Sequence, residues 1–197
     1  MTPYPRIRIF KSDFLEKFST VHPATPAILF IPWVIITSLL YIPLSISNVT
    51  NIVFGFYLWG LFEYLIHRFL YHLPIPLPKA ELFKSIIHGI HHDDPKDPLR
   101  LVAPPALSLS IGGLISILFY LLLPASSFWS ILNGFTCGYL SYDYLHWWMH
   151  HRKFKLRYLL SLQRHHALHH FNPDKNFGVS TMIWDKIFKT IKNSTCY

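Results

Sequence analysis

Four stretches of this chain are long enough to cross a bilayer as helices and run almost free of charge. A helix needs about 20 predominantly apolar residues to span the hydrocarbon layer. Residues 27–46 and 106–123 contain no Asp, Glu, Lys or Arg. Residues 52–71 carry Glu63, His67 and Arg68 only in their second half, and residues 128–149 are uncharged up to Asp143. Pro32 and Pro43 would disturb a water-exposed helix, but in a membrane neighbouring helices satisfy the freed carbonyls. Only 14% of the 197 residues are charged, against roughly 25% in soluble domains. Residues 47–51 and 124–127 read as tight turns of two helical hairpins. The expected fold is therefore all-α and integral to a membrane, with four transmembrane helices in two hairpins. Residues 1–197 form one domain, with segments 72–105 and 150–197 outside the bilayer.

The net charge of +8 could suggest nucleic acid, but its distribution points elsewhere. Of the 18 Lys and Arg, four precede residue 27, five lie from Arg68 to Arg100, and nine follow His150. None falls in either short turn. The excess of basic residues on one side puts both termini and the middle segment in the cytoplasm, where they can also attract anionic lipid. Nucleic acid is excluded as a partner. The first 26 residues are polar and basic, so no cleavable signal peptide is expected. The two cysteines, Cys137 and Cys196, exclude a disulfide framework and a cysteine-built zinc site.

Thirteen histidines are far too many for chance, and most sit at the cytoplasmic ends of spans two and four or just beyond. They fall into spaced groups: His67 and His72; His88, His91 and His92; His146 and His150; His166, His169 and His170. Residues at i, i+3 and i+4 share a helix face. Each triplet can thus converge on one point, as can His146 with His150. His67 and His72 can converge only if the helix ends or bends between them, and the proline-rich run 73–78 suggests that it stops there. His67 and His146 lie 15 and 18 residues into their spans, roughly 22–27 Å along them. Both belong near the inner edge of the hydrocarbon. Ten imidazoles crowded together repel one another when charged, whereas bound metal makes them mutually supportive. One metal takes four to six ligands, so ten imply two metals. Imidazole suits zinc, copper, iron and nickel alike.

Two carboxylates share these faces: Glu63, four residues before His67, and Asp143, three before His146. A carboxylate inside a span is functional or paired. Accepting the second ring N–H of a metal-bound histidine is the favoured role; a salt bridge, for instance Glu63 with Arg68, is the alternative. His165 creates an ambiguity of register, because it too is four residues from His169. His166 is preferred, since it repeats the spacing that starts at His88. His22 stands outside any group.

The residues Glu63-Tyr64-Leu65-Ile66-His67-Arg68-Phe69-Leu70-Tyr71-His72 resemble the first histidine box of the fatty acid hydroxylase superfamily of membrane di-iron enzymes. His88-Gly89-Ile90-His91-His92, Tyr142-Asp143-Tyr144-Leu145-His146-Trp147-Trp148-Met149-His150 and His166-Ala167-Leu168-His169-His170 are similar to the remaining boxes. The tails Arg100-Leu101-Val102-Ala103-Pro104-Pro105 and Phe177-Gly178-Val179-Ser180, with Trp184-Asp185, resemble the fatty acid 2-hydroxylase branch, which acts on sphingolipid acyl chains. The resemblance covers roughly residues 5–190. It implies a cytosolic helical cap closing over two iron ions, the ten box histidines as ligands, and O2-dependent hydroxylation at C2 of a long acyl chain. Zinc is an expected substitute in a purified sample.

Many relatives carry an N-terminal cytochrome b5 domain, and 26 residues are too few for one. The resemblance then implies an external electron donor, such as a separate cytochrome b5 or a ferredoxin, which a basic cytoplasmic face would steer if it were acidic. Arg100 is a candidate for holding the polar head of the lipid substrate, with a lipid-phosphate or structural contact as the other reading. The expected place is a multi-pass position in the endoplasmic reticulum or in a bacterial inner membrane. Rival activities are oxidation of another lipid (sterol desaturation, methyl-sterol oxidation, carotenoid ring hydroxylation) and, more distantly, metal carriage.

Overall fold

A computed structural model describes residues 7–72, 84 and 88–192. Among these residues the chain is mostly helical and has no strand. In order come α1 (Asp13–Lys17), α2 (Thr25–Tyr41), α3 (Ile46–Leu65) continuing into a π-helical turn (Ile66–Tyr71), α4 (Ile90–Asp93), α5 (Pro105–Leu122), α6 (Ala125–His151), α7 (Arg157–Phe171) and α8 (Ile183–Ile187). The proline run 73–78, expected to end the second span, and Cys196 lie outside the described residues.

The second helix starts earlier than the charge pattern suggests. Residues 47–51, expected as a turn, are the first turns of α3. The reversal falls instead around Pro43. Pro43 has no N–H for α2 to use, and the Ser45 hydroxyl accepts the Asn48 N–H at 3.1 Å, capping α3. Pro32 remains inside α2.

The principal packed pair is α3 with α6, and glycines set its spacing. A Cβ on Gly55 would sit 2.1 Å from the Ile131 carbonyl, and one on Gly134 would sit 2.0 Å from that of Ile52. Such approach of two backbones replaces hydrophobic driving force where the surroundings are themselves apolar. On the other side of α6, Asn133 is buried against α2. Its amide donates to Ser38 Oγ at 2.9 Å and accepts from Thr37 Oγ1 at 3.0 Å. Towards the C-terminal end of α6, Tyr144 bonds Pro23 O and the Ala27 N–H, fixing where α2 begins.

Ile46–Tyr71 and Pro105–Leu122 are long and apolar enough to cross a membrane. Their outer faces stay apolar and exposed: Ile46 is 88% exposed and Leu121 72%. In water such a surface would drive association; against lipid it is at rest. Ile115 is the one buried residue of α5.

Candidate metal centre

The π turn answers the geometric problem posed by His67 and His72. In an i→i+5 turn, residues five apart return to one face, and the two rings lie 5.0 Å apart. Together with His88, His92 and His169 they form one nest; His91, His146, His150, His166 and His170 form a second. Within each nest, one ring nitrogen from every histidine lies within 4.8 Å of all the others. All ten histidines singled out from the sequence are thus brought together.

The partition differs from that expected. Each triplet is divided between the nests: His88 and His92 go to the first and His91 to the second, while His166 and His170 go to the second and His169 to the first. Residues four apart differ by only about 40° around a helix, whereas the i+3 residue is rotated about 60° the other way. The i, i+4 pairs therefore stay together, and the third histidine turns to the neighbouring nest. Helices α4 and α7 consequently straddle both sites.

The nitrogen positions fit metal ions. His88 Nε2 lies 2.9 Å from His92 Nε2, 3.0 Å from His67 Nε2 and 3.1 Å from His72 Nε2. One ring nitrogen carries one proton or one lone pair, so it cannot satisfy three such neighbours by hydrogen bonding. Metal–nitrogen bonds of about 2.1 Å at right angles would put neighbouring nitrogens about 3.0 Å apart. The second nest repeats the spacing, with Nε2 separations of 2.8 Å for His146–His91, 2.9 Å for His150–His166 and 3.1 Å for His170–His166. His169 Nε2 is buried without a partner. The imidazoles are also held neutral, as ligands must be. Burial, reinforced by neighbouring imidazoles, holds His88, His91 and His166 well below the ordinary value of 6.5. Burial likewise brings His72 and His92 down to about 4, His169 to about 3 and His170 to about 2.

Backbone carbonyls, not carboxylates, orient the two rings whose second nitrogen is bonded to the loop after α7. His67 Nδ1 donates to Phe177 O, and His169 Nδ1 donates to Lys175 O at 2.7 Å. Glu63 does not reach a histidine. It accepts the N–H groups of Val179 and Ser180 and the Ser180 hydroxyl, so it pins the loop that carries Phe177 O. Asp143 is buried beside Tyr139 and the Ala103 backbone. His146 Nδ1 has no hydrogen-bond partner, so Asp143 does not orient that ring either. Both carboxylates are taken up by other partners, Glu63 by the loop after α7 and Asp143 by Tyr139 and the Ala103 backbone.

Asp185 is a further anchor that spacing alone did not single out. Its carboxylate accepts the Phe177 N–H at 2.9 Å, the Gly178 N–H at 2.7 Å and the Thr190 hydroxyl at 2.6 Å. His165 Nε2 lies 3.0 Å from the same carboxylate, so His165 supports the loop while His166 enters the nest. Burial alone would raise Asp185, but the bonds from His165, Thr190 and Gly178 outweigh it and hold the carboxylate below its ordinary value. The signal was present in the sequence as the Phe-Gly-Val-Ser and Trp-Asp tails, whose resemblance was legible while their mechanical role was not.

Arg100 has several protein partners. Its guanidinium bonds Glu16 at 2.7 Å, Ser19 Oγ at 3.2 Å and Ile7 O, with Asp97 at 3.7 Å. It ties the N-terminal segment to the loop before α5, as the structural reading of this residue has it, and it also borders the cavity described next.

A cavity of about 370 Å³ opens beside the nests. His67, His88, His91 and His146 border it, drawn from both nests, and Leu29, Trp33, Leu132 and Phe135 line its apolar part.

Paired five-imidazole nests at the end of an apolar helical bundle define a helical, histidine-based metal protein whose donor set is compatible with iron. More narrowly, the chain belongs to the fatty acid hydroxylase family, whose model ("Fatty acid hydroxylase") matches residues 52–190. It is 37% identical over 193 residues to a dihydroceramide fatty acyl 2-hydroxylase of Arabidopsis thaliana, covering 93% of this chain and 79% of that protein. It is 35% identical over 211 residues to a fatty acid 2-hydroxylase of Homo sapiens, covering 94% of this chain but 56% of that protein. The chain therefore spans little more than half of the human relative. Its fold matches a solved structure titled full-length scs7p, in which only the hydroxylase domain is visible. The TM-score is 0.87 at 29% identity, covering 93% of this chain and 72% of that one.

Proposed function

We propose that this protein hydroxylates C2 of a long acyl chain, free or carried in a sphingolipid, using O2 and a pair of iron ions. The observation that carries the reading is the continuity of the apolar cavity with histidines of both nests. An aliphatic C–H bond resists acids and bases, and iron with O2 supplies the oxidising power to attack it. His67, His72, His88, His92 and His169 would hold one ion; His91, His146, His150, His166 and His170 would hold the other.

The remaining work falls to the chain itself. The cavity walls bind and straighten the acyl tail and exclude water. The Phe177 and Lys175 carbonyls keep His67 and His169 turned so that Nε2 faces the nest. Glu63 and Asp185 hold the loop that presents those carbonyls. Tyr142, stacked against His146, also borders the cavity and packs the ring on that side.

The same reading includes four membrane helices (α2, α3 with its π turn, α5 and α6), both termini in the cytoplasm, and a cap built from α4, α7 and α8. The distribution of Lys and Arg supports it. Electrons come from a separate acidic carrier drawn to that basic face.

The test is expression in a host lacking 2-hydroxy lipids, under 18O2, with mass spectrometry of total acyl chains. One heavy oxygen at C2 is expected for the natural sequence and none for His67→Ala or His91→Ala protein that still reaches the membrane. Unlabelled product, or product undiminished in both variants, would remove the assignment.

A further inference from the structure

Gly112 is a glycine that the fold does not require. A Cβ built there meets nothing within 4 Å, whereas those on Gly55, Gly134 and Gly138 would meet neighbours at 2.1, 2.0 and 2.5 Å. No glycine among the described residues has positive φ, so backbone conformation does not call for it either. A glycine inside a helix weakens it relative to alanine. What the missing side chain leaves is room, because Gly112 borders the cavity.

Its surroundings place that room well away from the nests. Ser108, Gly112 and Ser116, four residues apart on α5, border the cavity together with Ile111, Gly113 and Ile115. Gly112 is seven residues into α5, about 10 Å from Pro105. Pro105 follows the Ala103 backbone that adjoins Asp143, one turn from His146. Trp33 and Phe135 border the same cavity. A separate observation points to a ligand with a polar end: Trp59 borders the same cavity with its Nε1 buried and without a hydrogen-bond partner, close to the paired Tyr139 and Asp143. Asp143 itself is 1% exposed. A buried donor such as Trp59 Nε1 is costly to leave unpaired.

We propose that Gly112 is a specificity-determining position: the space left by its absent side chain accommodates the far part of a long acyl chain. A bulky residue there shortens the chain that the protein accepts. The inference rests on the acyl-hydroxylase reading for its substrate, although it can be read by binding alone.

The experiment is the series Gly112→Ala, Gly112→Leu and Gly112→Phe, with Leu114→Phe as the control for bulk on an exposed face of α5. Two quantities are measured on detergent-purified protein and its expression host. One is displacement of a pyrene-labelled acyl amide by shorter and longer saturated acyl amides; the other is the chain-length distribution of 2-hydroxy acyl product. The long-to-short ratio should fall stepwise with side-chain size, on the order of tenfold or more at Phe, as a hydrophobic pocket gives for a few methylenes. Leu114→Phe should leave it unchanged. An unchanged ratio, an equal loss at every length, or failure of Gly112→Leu to accumulate would each overturn the proposal, the last because the space would not exist. A shifted binding ratio with no 2-hydroxy product from any protein would leave Gly112 in its role and refute the reaction.

Discussion

His91 and His92 are neighbours in the chain yet enter different nests: His92 Nε2 lies 2.9 Å from His88 Nε2, and His91 Nε2 lies 2.8 Å from His146 Nε2. The 100° step between consecutive helical residues aims them apart. A single substitution should therefore unload one site. His92→Ala and His91→Ala are each expected to lower the metal content of purified protein from two ions to about one, with loss of 2-hydroxylation in both. Elemental analysis checks the count. Loss of both ions in each variant would show that the nests fill as a unit.

Acid should act on the metal-free protein through the same rings. The lowered values of His72, His92, His169 and His170, at about 4, 4, 3 and 2, mean that the folded chain refuses protons that the unfolded chain takes up near 6.5. The native fold is thus unpenalised above pH 6.5 and loses stability as pH falls from 6.5 towards 4. Each such ring contributes up to about 1.4 kcal/mol per pH unit. Chelated protein should show a falling Tm across that window by tryptophan fluorescence, and reloading with metal should move the fall to lower pH. A flat Tm between pH 7 and 5 would contradict the burial on which the neutral rings depend.

Glu63→Ala should loosen the loop without removing a ligand. It strands the Val179 and Ser180 N–H groups, and each buried unsatisfied group costs about 1–3 kcal/mol. Lower Tm, reduced metal retention on dialysis and partial rescue by Glu63→Gln, which keeps an acceptor oxygen, are expected. Complete activity with wild-type metal retention in Glu63→Ala would release Phe177 from any need of the carboxylate.

Periodicity singled out all ten histidines, because metal ligation demands fixed spacing on helix faces. It did not reveal their division into nests, which depends on how α4 and α7 lie across the two sites. It also could not show the π turn between His67 and His72, since nothing local distinguishes i→i+5 from i→i+4 bonding. The start of α3 was misplaced because an apolar turn carries no charge signal, although Pro43 and Ser45 hold the information. The carbonyls of Phe177 and Lys175 escaped altogether, because every residue has a carbonyl and only tertiary structure selects which ones matter. Glu63 and Arg100 were noticed as chemically conspicuous, but their partners lie 116 and 84 residues away, beyond the reach of spacing.

The α3–α6 contact should be intolerant of even a methyl group. A Cβ on Gly134 would lie 2.0 Å from Ile52 O, a backbone atom that no rotamer change can move. Gly134→Ala should therefore separate the helices, at about 3 kcal/mol or more, although alanine is the better helix former. Gly112→Ala, in open space, should leave Tm unchanged or raise it. Thermal unfolding of the two variants side by side checks the contrast, and equal tolerance would mean that α3 and α6 do not pack so closely.

Arg100→Ala separates a latch from a substrate clamp. The guanidinium joins Glu16 and Ser19 of the N-terminal segment to the loop before α5. Removing it should free residues near α1 while leaving the histidine nests intact. Limited trypsin digestion should then cut faster at Lys11 and Lys17, both exposed, with metal content unchanged. Ile9 and Ser19 border the cavity, so loosening this segment should also widen access. The two roles predict different kinetics: a latch gives modest changes that Glu16→Gln reproduces, because both substitutions break the Arg100–Glu16 pair. A clamp on a polar head gives a large rise in KM that Glu16→Gln does not share. Matching profiles for the two variants are expected, and divergence would return Arg100 to the substrate.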